Sequence, residues 1–83
     1  MNFKIICDDL AEILESKNKN YGNSFLKTFK EYGNVAICIR LEDKINRLKN
    51  ILQGTDSTKA VDTLIDIAGY AVLSLATLGE TNG

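Results

Sequence analysis

The chain has 83 residues, with ten Lys and Arg against eleven Asp and Glu and no histidine, tryptophan or proline. That length allows one domain with one modest core, and a formal charge of −1 argues against a duplex DNA binder, which carries a basic excess. Without histidine there is no His-dependent triad, His general base or ordinary zinc site, so catalysis would fall to carboxylates holding a divalent cation.

The hydrophobic periodicity predicts an all-α protein, a compact bundle of about four helices in a single domain over 1–83, with no strand. The first helix is expected from Phe3 to Ser16, with Phe3, Ile6, Leu10, Ile13 and Leu14 on its inner stripe and Asp8, Asp9, Glu12 and Glu15 largely off it. Lys17 to Gly22 is polar, ends in glycine and reads as a connection. Asn23 or Ser24 then caps a short second helix to Tyr32, with Phe25, Leu26 and Phe29 inward. Gly33 suits the left-handed residue that closes a helix, and Asn34 suits the next cap.

The third helix is expected from Val35 to Leu52, with a core stripe of Ile37, Leu41, Ile45, Leu48 and Leu52. Arg40, Lys44 and Arg47 share a second stripe, and Asp43 lies within reach of both arginines. Gly54 to Ser57 makes the next turn, with Asp56 or Ser57 as cap. The fourth helix covers Thr58 to Leu78 and ends in a fraying tail. Its apolar face is Val61, Leu64, Ile65, Ala68, Val72, Leu75 and Leu78, and from Ile67 onward it is apolar nearly all round. Such a helix must be buried on more than one side, which one small monomer can hardly do, so a homo-oligomer is expected.

Cys7 and Cys38 have no CxxC spacing and sit among apolar neighbours, which predicts buried free thiols in a reducing compartment. Acids stand where a signal peptide would need small residues, and the run Ala68 to Leu78 falls short of the roughly 20 residues that span a bilayer. A cytoplasmic protein without a membrane partner is the expectation.

Four constellations carry chemistry. Arg40, Lys44 and Arg47 are either a solvated, salt-bridged face or a phosphate clamp. Asp62 and Asp66, four apart in an otherwise apolar helix, repel unless something positive compensates them: the basic stripe of the third helix, a bound Mg²⁺, or a polar ligand. Glu12 and Glu15, joined to Asp62 and Asp66, would give the four-carboxylate cluster with which helical hydrolases hold magnesium. Lys17, Lys19, Tyr21 and Ser24 lie at a predicted helix junction, where free N–H groups favour an anion. Tyr21 offers a stacking face there and Ser24 a hydroxyl, or else Tyr21 merely packs and Ser24 merely caps.

The blocks KNKNYGNSF, RLEDKINRLKNIL and VDTLIDIAGYAVL occur in the order found in small phage and bacterial proteins, and the chain resembles the nucleotide modification associated domain type 1 family over residues 10–78. The resemblance marks Lys17, Tyr21, Gly22, Ser24, Arg40, Lys44, Arg47, Asp62, Asp66 and Tyr70 as signature positions. It also implies association with nucleotide metabolism in phage. The pattern is distantly similar to the all-α NTP pyrophosphatases, whose hallmark is ExxE followed by ExxD. Here Glu12 and Glu15 fit, but Asp62 and Asp66 stand four apart. A nucleotide binder without turnover, needing no cofactor, is the leading expectation. It would be cytoplasmic in the bacterial host if phage-encoded, and would sequester a cyclic or NAD-derived immune signal. A Mg²⁺-dependent nucleotide pyrophosphatase is the alternative.

Overall fold

The computed structural model describes residues 1–54 and 56–82, with side chains described outside 18–23 and 80–82. The described residues are almost wholly helical and contain no strand: α1 is Phe3–Tyr32, α2 is Val35–Gln53 and α3 is Thr58–Asn82. The all-α expectation therefore holds. The connection expected at 17–22 does not interrupt the chain, so the first two expected segments form the single helix α1. Lys and Asn tolerate a helix, and one interior glycine costs only about 1 kcal/mol relative to alanine, which neighbouring turns can offset. Helix α3 likewise continues to Asn82 rather than stopping at Leu78.

Local chemistry explains the helix ends. Asn2 caps α1, its side-chain oxygen accepting from the Ile5 N–H at 3.2 Å. Gly33 closes α1 with φ 72° and ψ −151°, a region open to glycine, and its N–H donates to the Phe29 carbonyl at 2.7 Å. Asn34 occupies the cap position of α2 but makes no side-chain capping bond. Ahead of α3, Asp56 Oδ1 accepts from the Thr58 hydroxyl and from the Thr58 N–H at 3.0 Å, which holds its carboxyl below the ordinary aspartate pKa of 3.8.

Helices α2 and α3 make the most extensive packing, and α1 touches both. The stripe of α3 that meets the rest of the chain takes in only part of the predicted apolar face: Ile65, Ala68 and Leu78 are half-buried. Ala60, Thr63, Tyr70, Ser74 and Thr77 are buried, while Val61, Leu64, Val72 and Leu75 are exposed. Burying hydroxyls is tolerable here because each bonds back to its own helix. Thr63 donates to the Lys59 carbonyl at 3.3 Å, Ser74 to Tyr70 at 2.6 Å and Thr77 to Leu73 at 2.8 Å. Small side chains also let the helices approach closely, with Ala36 of α2 fully buried.

The aromatic part of the core is Phe25, wholly buried, against Phe29 and Tyr70 at ring-centroid distances of 6.2 and 6.0 Å. Phe25, Leu26 and Phe29 point inward as expected. In α2 the inner stripe is rotated from the predicted one: Ile37, Leu41 and Leu48 are half-buried, Ile45 and Leu52 are exposed, and Arg40 and Lys44 are half-buried in their place. Cys7 and Cys38 are free, as expected, but both are exposed rather than buried.

One further expectation changes. Thr58–Gly79 is a 22-residue helix long and apolar enough to cross a membrane by length and composition, whereas the shorter window 68–78 is not. Only 28% of its most apolar window is buried inside the chain.

Candidate functional site

The rotation of α2 that hides Arg40 and Lys44 creates the polar centre of the molecule. Lys44 reaches across to α3, where its Nζ lies 3.4 Å from Asp66 Oδ2. Lys17 approaches the same carboxylate from α1, its Nζ 3.9 Å from Oδ1. The Lys44 side chain is 19% exposed and that of Asp66 30%, so this junction of all three helices lies at the edge of the interior. Two ammonium groups share one carboxylate, leaving one positive charge in excess.

Arg40 precedes Lys44 by four residues and therefore shares its face of α2. Its guanidinium donates to the Thr28 hydroxyl of α1 at 3.2 Å, and Thr28 in turn donates to the Ser24 carbonyl at 3.0 Å. Thr28, Tyr32, Ile39, Arg40 and Asp43 line an open cavity of about 320 Å³ between α1 and α2. Asp43 thus faces the same cavity as Arg40. Thr28 was not singled out from sequence, although a hydroxyl one turn after Ser24, opposite a basic stripe, was the available signal.

The other expected site residues distribute unevenly. Arg47 follows Arg40 and Lys44 on the same stripe of α2 but is exposed where they are half-buried. Ser24 is exposed within α1, not a cap at its start. Lys19, Tyr21 and Gly22 lie outside the residues whose side chains are described. Asp62, Asp66 and Tyr70, at four-residue spacing on α3, meet different surroundings: Asp62 is exposed, Asp66 half-buried and Tyr70 buried against Phe25. Each four-residue step advances about 40° around a helix of 3.6 residues per turn, so the series turns from solvent toward the core.

Of the compensations open to the acidic pair, Asp66 has the basic one, with lysines from two helices rather than α2 alone. Glu12 and Glu15 are exposed on α1. Among the described residues no three His, Cys, Asp or Glu side chains come close enough to hold a metal ion, so Glu12, Glu15, Asp62 and Asp66 do not assemble a cage within one chain. The protein matches no family model, no curated protein and no solved structure.

Chemically, the junction can hold an anion by charge and by hydrogen bonds from ammonium, guanidinium and hydroxyl groups. Asp66 occupies the position facing both lysines, so an incoming oxyanion would compete with it.

Proposed function

We propose that the protein is a phage-type nucleotide binder that holds the phosphate of a cyclic or NAD-derived nucleotide on Lys17, Arg40 and Lys44, acting by sequestration as a homo-oligomer in the host cytoplasm. The observation that carries the reading is the convergence of Lys17 and Lys44 on one carboxylate, with Arg40 one turn away and turned inward. The resemblance of KNKNYGNSF, RLEDKINRLKNIL and VDTLIDIAGYAVL to the nucleotide modification associated family adds support. Arginine supplies a planar two-point grip on phosphate, and the lysines supply mobile point charges. Lys19, Tyr21, Ser24 and Arg47 complete the proposed lining, with Tyr21 stacking on a base.

Native mass spectrometry and thermal-shift titration against nucleotides, including cyclic and ADP-ribose types, test the reading. A bound nucleotide raises Tm by mass action and is recovered intact after denaturation. Each charge-assisted hydrogen bond contributes about 1.5–3 kcal/mol, so Arg40→Ala and Lys44→Ala should each weaken binding by roughly ten- to 150-fold. No shift across the panel overturns the proposal. Recovery of monophosphate and pyrophosphate in the presence of Mg²⁺ replaces it with the hydrolytic reading.

A further inference from the structure

The exposed stripe of α3 and the adjoining half of α1 form one apolar face that the chain leaves uncovered. Val61, Leu64, Val72 and Leu75 follow one another at helical spacing, with Leu64 52% and Leu75 72% exposed. Ile6 and Leu10 of α1 line a groove beside Val61, Leu64 and Ala68, a trough of about 370 Å³. The exposed area shows that the chain has surface to spare for a partner. A folded monomer of 9.2 kDa should expose about 4900 Å², yet this chain exposes 6237 Å². The excess, roughly 1300 Å² over the whole chain, leaves room for an interface of the ~800 Å² per partner that a standard complex buries, and this face is its longest apolar stretch on α3.

We infer that the α1–α3 apolar face is the self-association surface, covered by the same face of a second copy in an isologous dimer. This deepens the oligomeric part of the function proposed above and makes no use of the ligand. An isologous arrangement needs only one self-complementary patch and closes without leaving a sticky end. Pairing two such faces would place helices from both copies around a shared core, supplying the second burial side that α3 requires.

A bilayer is the competing occupant, and charge disfavours it. The same helix carries Asp62 and Asp66, and an aspartate near the centre of a spanning helix costs about 2.5–3.5 kcal/mol. Asp66 is also tied to lysines on two other helices, which insertion of α3 would break. Asp9 lines the groove itself, and Asp8, Glu12 and Glu15 lie exposed on the same helix, so anionic headgroups are repelled.

Sedimentation equilibrium of the ligand-free protein, over a dilution series, tests the inference independently of nucleotide binding. The wild type should run as a dimer or a multiple of one. Leu64→Ala and Val61→Ala keep or improve helix propensity at positions exposed in the single chain, so they remove little contact within it. Each should raise the dimer dissociation constant by on the order of tenfold or more. Leu52→Ala, an equally exposed apolar position on α2, should leave it within about twofold. A wild-type monomer at every concentration overturns the inference. So does a dimer indifferent to Leu64→Ala and Val61→Ala, or one weakened as much by Leu52→Ala. Insolubility without detergent, with co-sedimentation on phosphatidylcholine vesicles, overturns it in favour of the bilayer.

Discussion

Asp66 holds two ammonium groups from different helices, and replacing it with asparagine separates two roles for that contact. As a structural tie the junction is modest, because pairs this close to solvent contribute only about 0–1 kcal/mol. If the junction is the proposed anion site, Asp66 would compete there with phosphate. Asp66→Asn should therefore lower stability by no more than about 1 kcal/mol while tightening binding of the nucleotide identified in the panel, measured by titration calorimetry. Weaker binding would mean that Asp66 contacts the ligand or orients the lysines for it. Asp56 gives a pH-dependent prediction at the same scale. Its carboxyl is held low by the Thr58 hydroxyl first and the Thr58 N–H second. A folded pKa below the unfolded one gives stabilisation that is complete above the unfolded value and lost as pH falls through the folded value. The Tm gap between wild type and Asp56→Ala should be constant at neutral pH and narrow below pH 3.8. A gap that widens in acid would show that the capping bonds do not favour the charged carboxylate.

At the scale of the elements, the turn between α1 and α2 rests on one backbone conformation. Gly33 has a positive φ with ψ near −151°, and a Cβ built there meets no atom within 4 Å. Any penalty for a side chain is therefore conformational rather than steric crowding. Gly33→Ala should destabilise by about 1–3 kcal/mol in denaturant unfolding, whereas a change within a few tenths would mean the turn relaxes to another geometry. This turn was legible because its signal is local, whereas the Asn2 cap, equally local, was found only in the structure. The continuity of α1 was not legible, because a polar run ending in glycine suits a helix interior and a connection almost equally. The orientation of α3 was less legible still. Its sequence carries two stripes about 130° apart, one apolar and one of small and hydroxyl residues. Periodicity identifies both but does not say which one meets the same chain. Arg40 and Lys44 could be read as neighbours on one face. Their burial could not, since it follows from the rotation of α2 that exposes Ile45 and Leu52. Thr28, the acceptor for Arg40, lies twelve residues away in sequence and became visible only when α1 and α2 were side by side.

For the whole molecule, these orientations have one thermodynamic consequence. The fully or nearly buried apolar side chains among the described residues are Phe25, Ala36, Ala60 and Tyr70, two of them alanines. A chain of this length already buries a smaller share of its surface than a larger domain, so a core built on two aromatic rings leaves little margin over conformational entropy. If a second copy supplies the missing burial, folding and association are one equilibrium, and stability depends on protein concentration. Each tenfold rise in concentration then adds about 1.4 kcal/mol per dimer. With the unfolding entropy of about 166 residues, that raises Tm by roughly 3–6 °C per tenfold. Differential scanning calorimetry of the ligand-free protein at graded concentrations measures this directly. A Tm that does not move would require the single chain to be stable alone, despite an apolar stripe in water along most of α3. The concentration dependence also bears on function, because Lys17, Lys44 and Asp66 join all three helices and their geometry persists only while those helices stay packed. Nucleotide affinity should therefore fall on dilution below the dimer dissociation constant, with the same midpoint as the loss of helical circular dichroism.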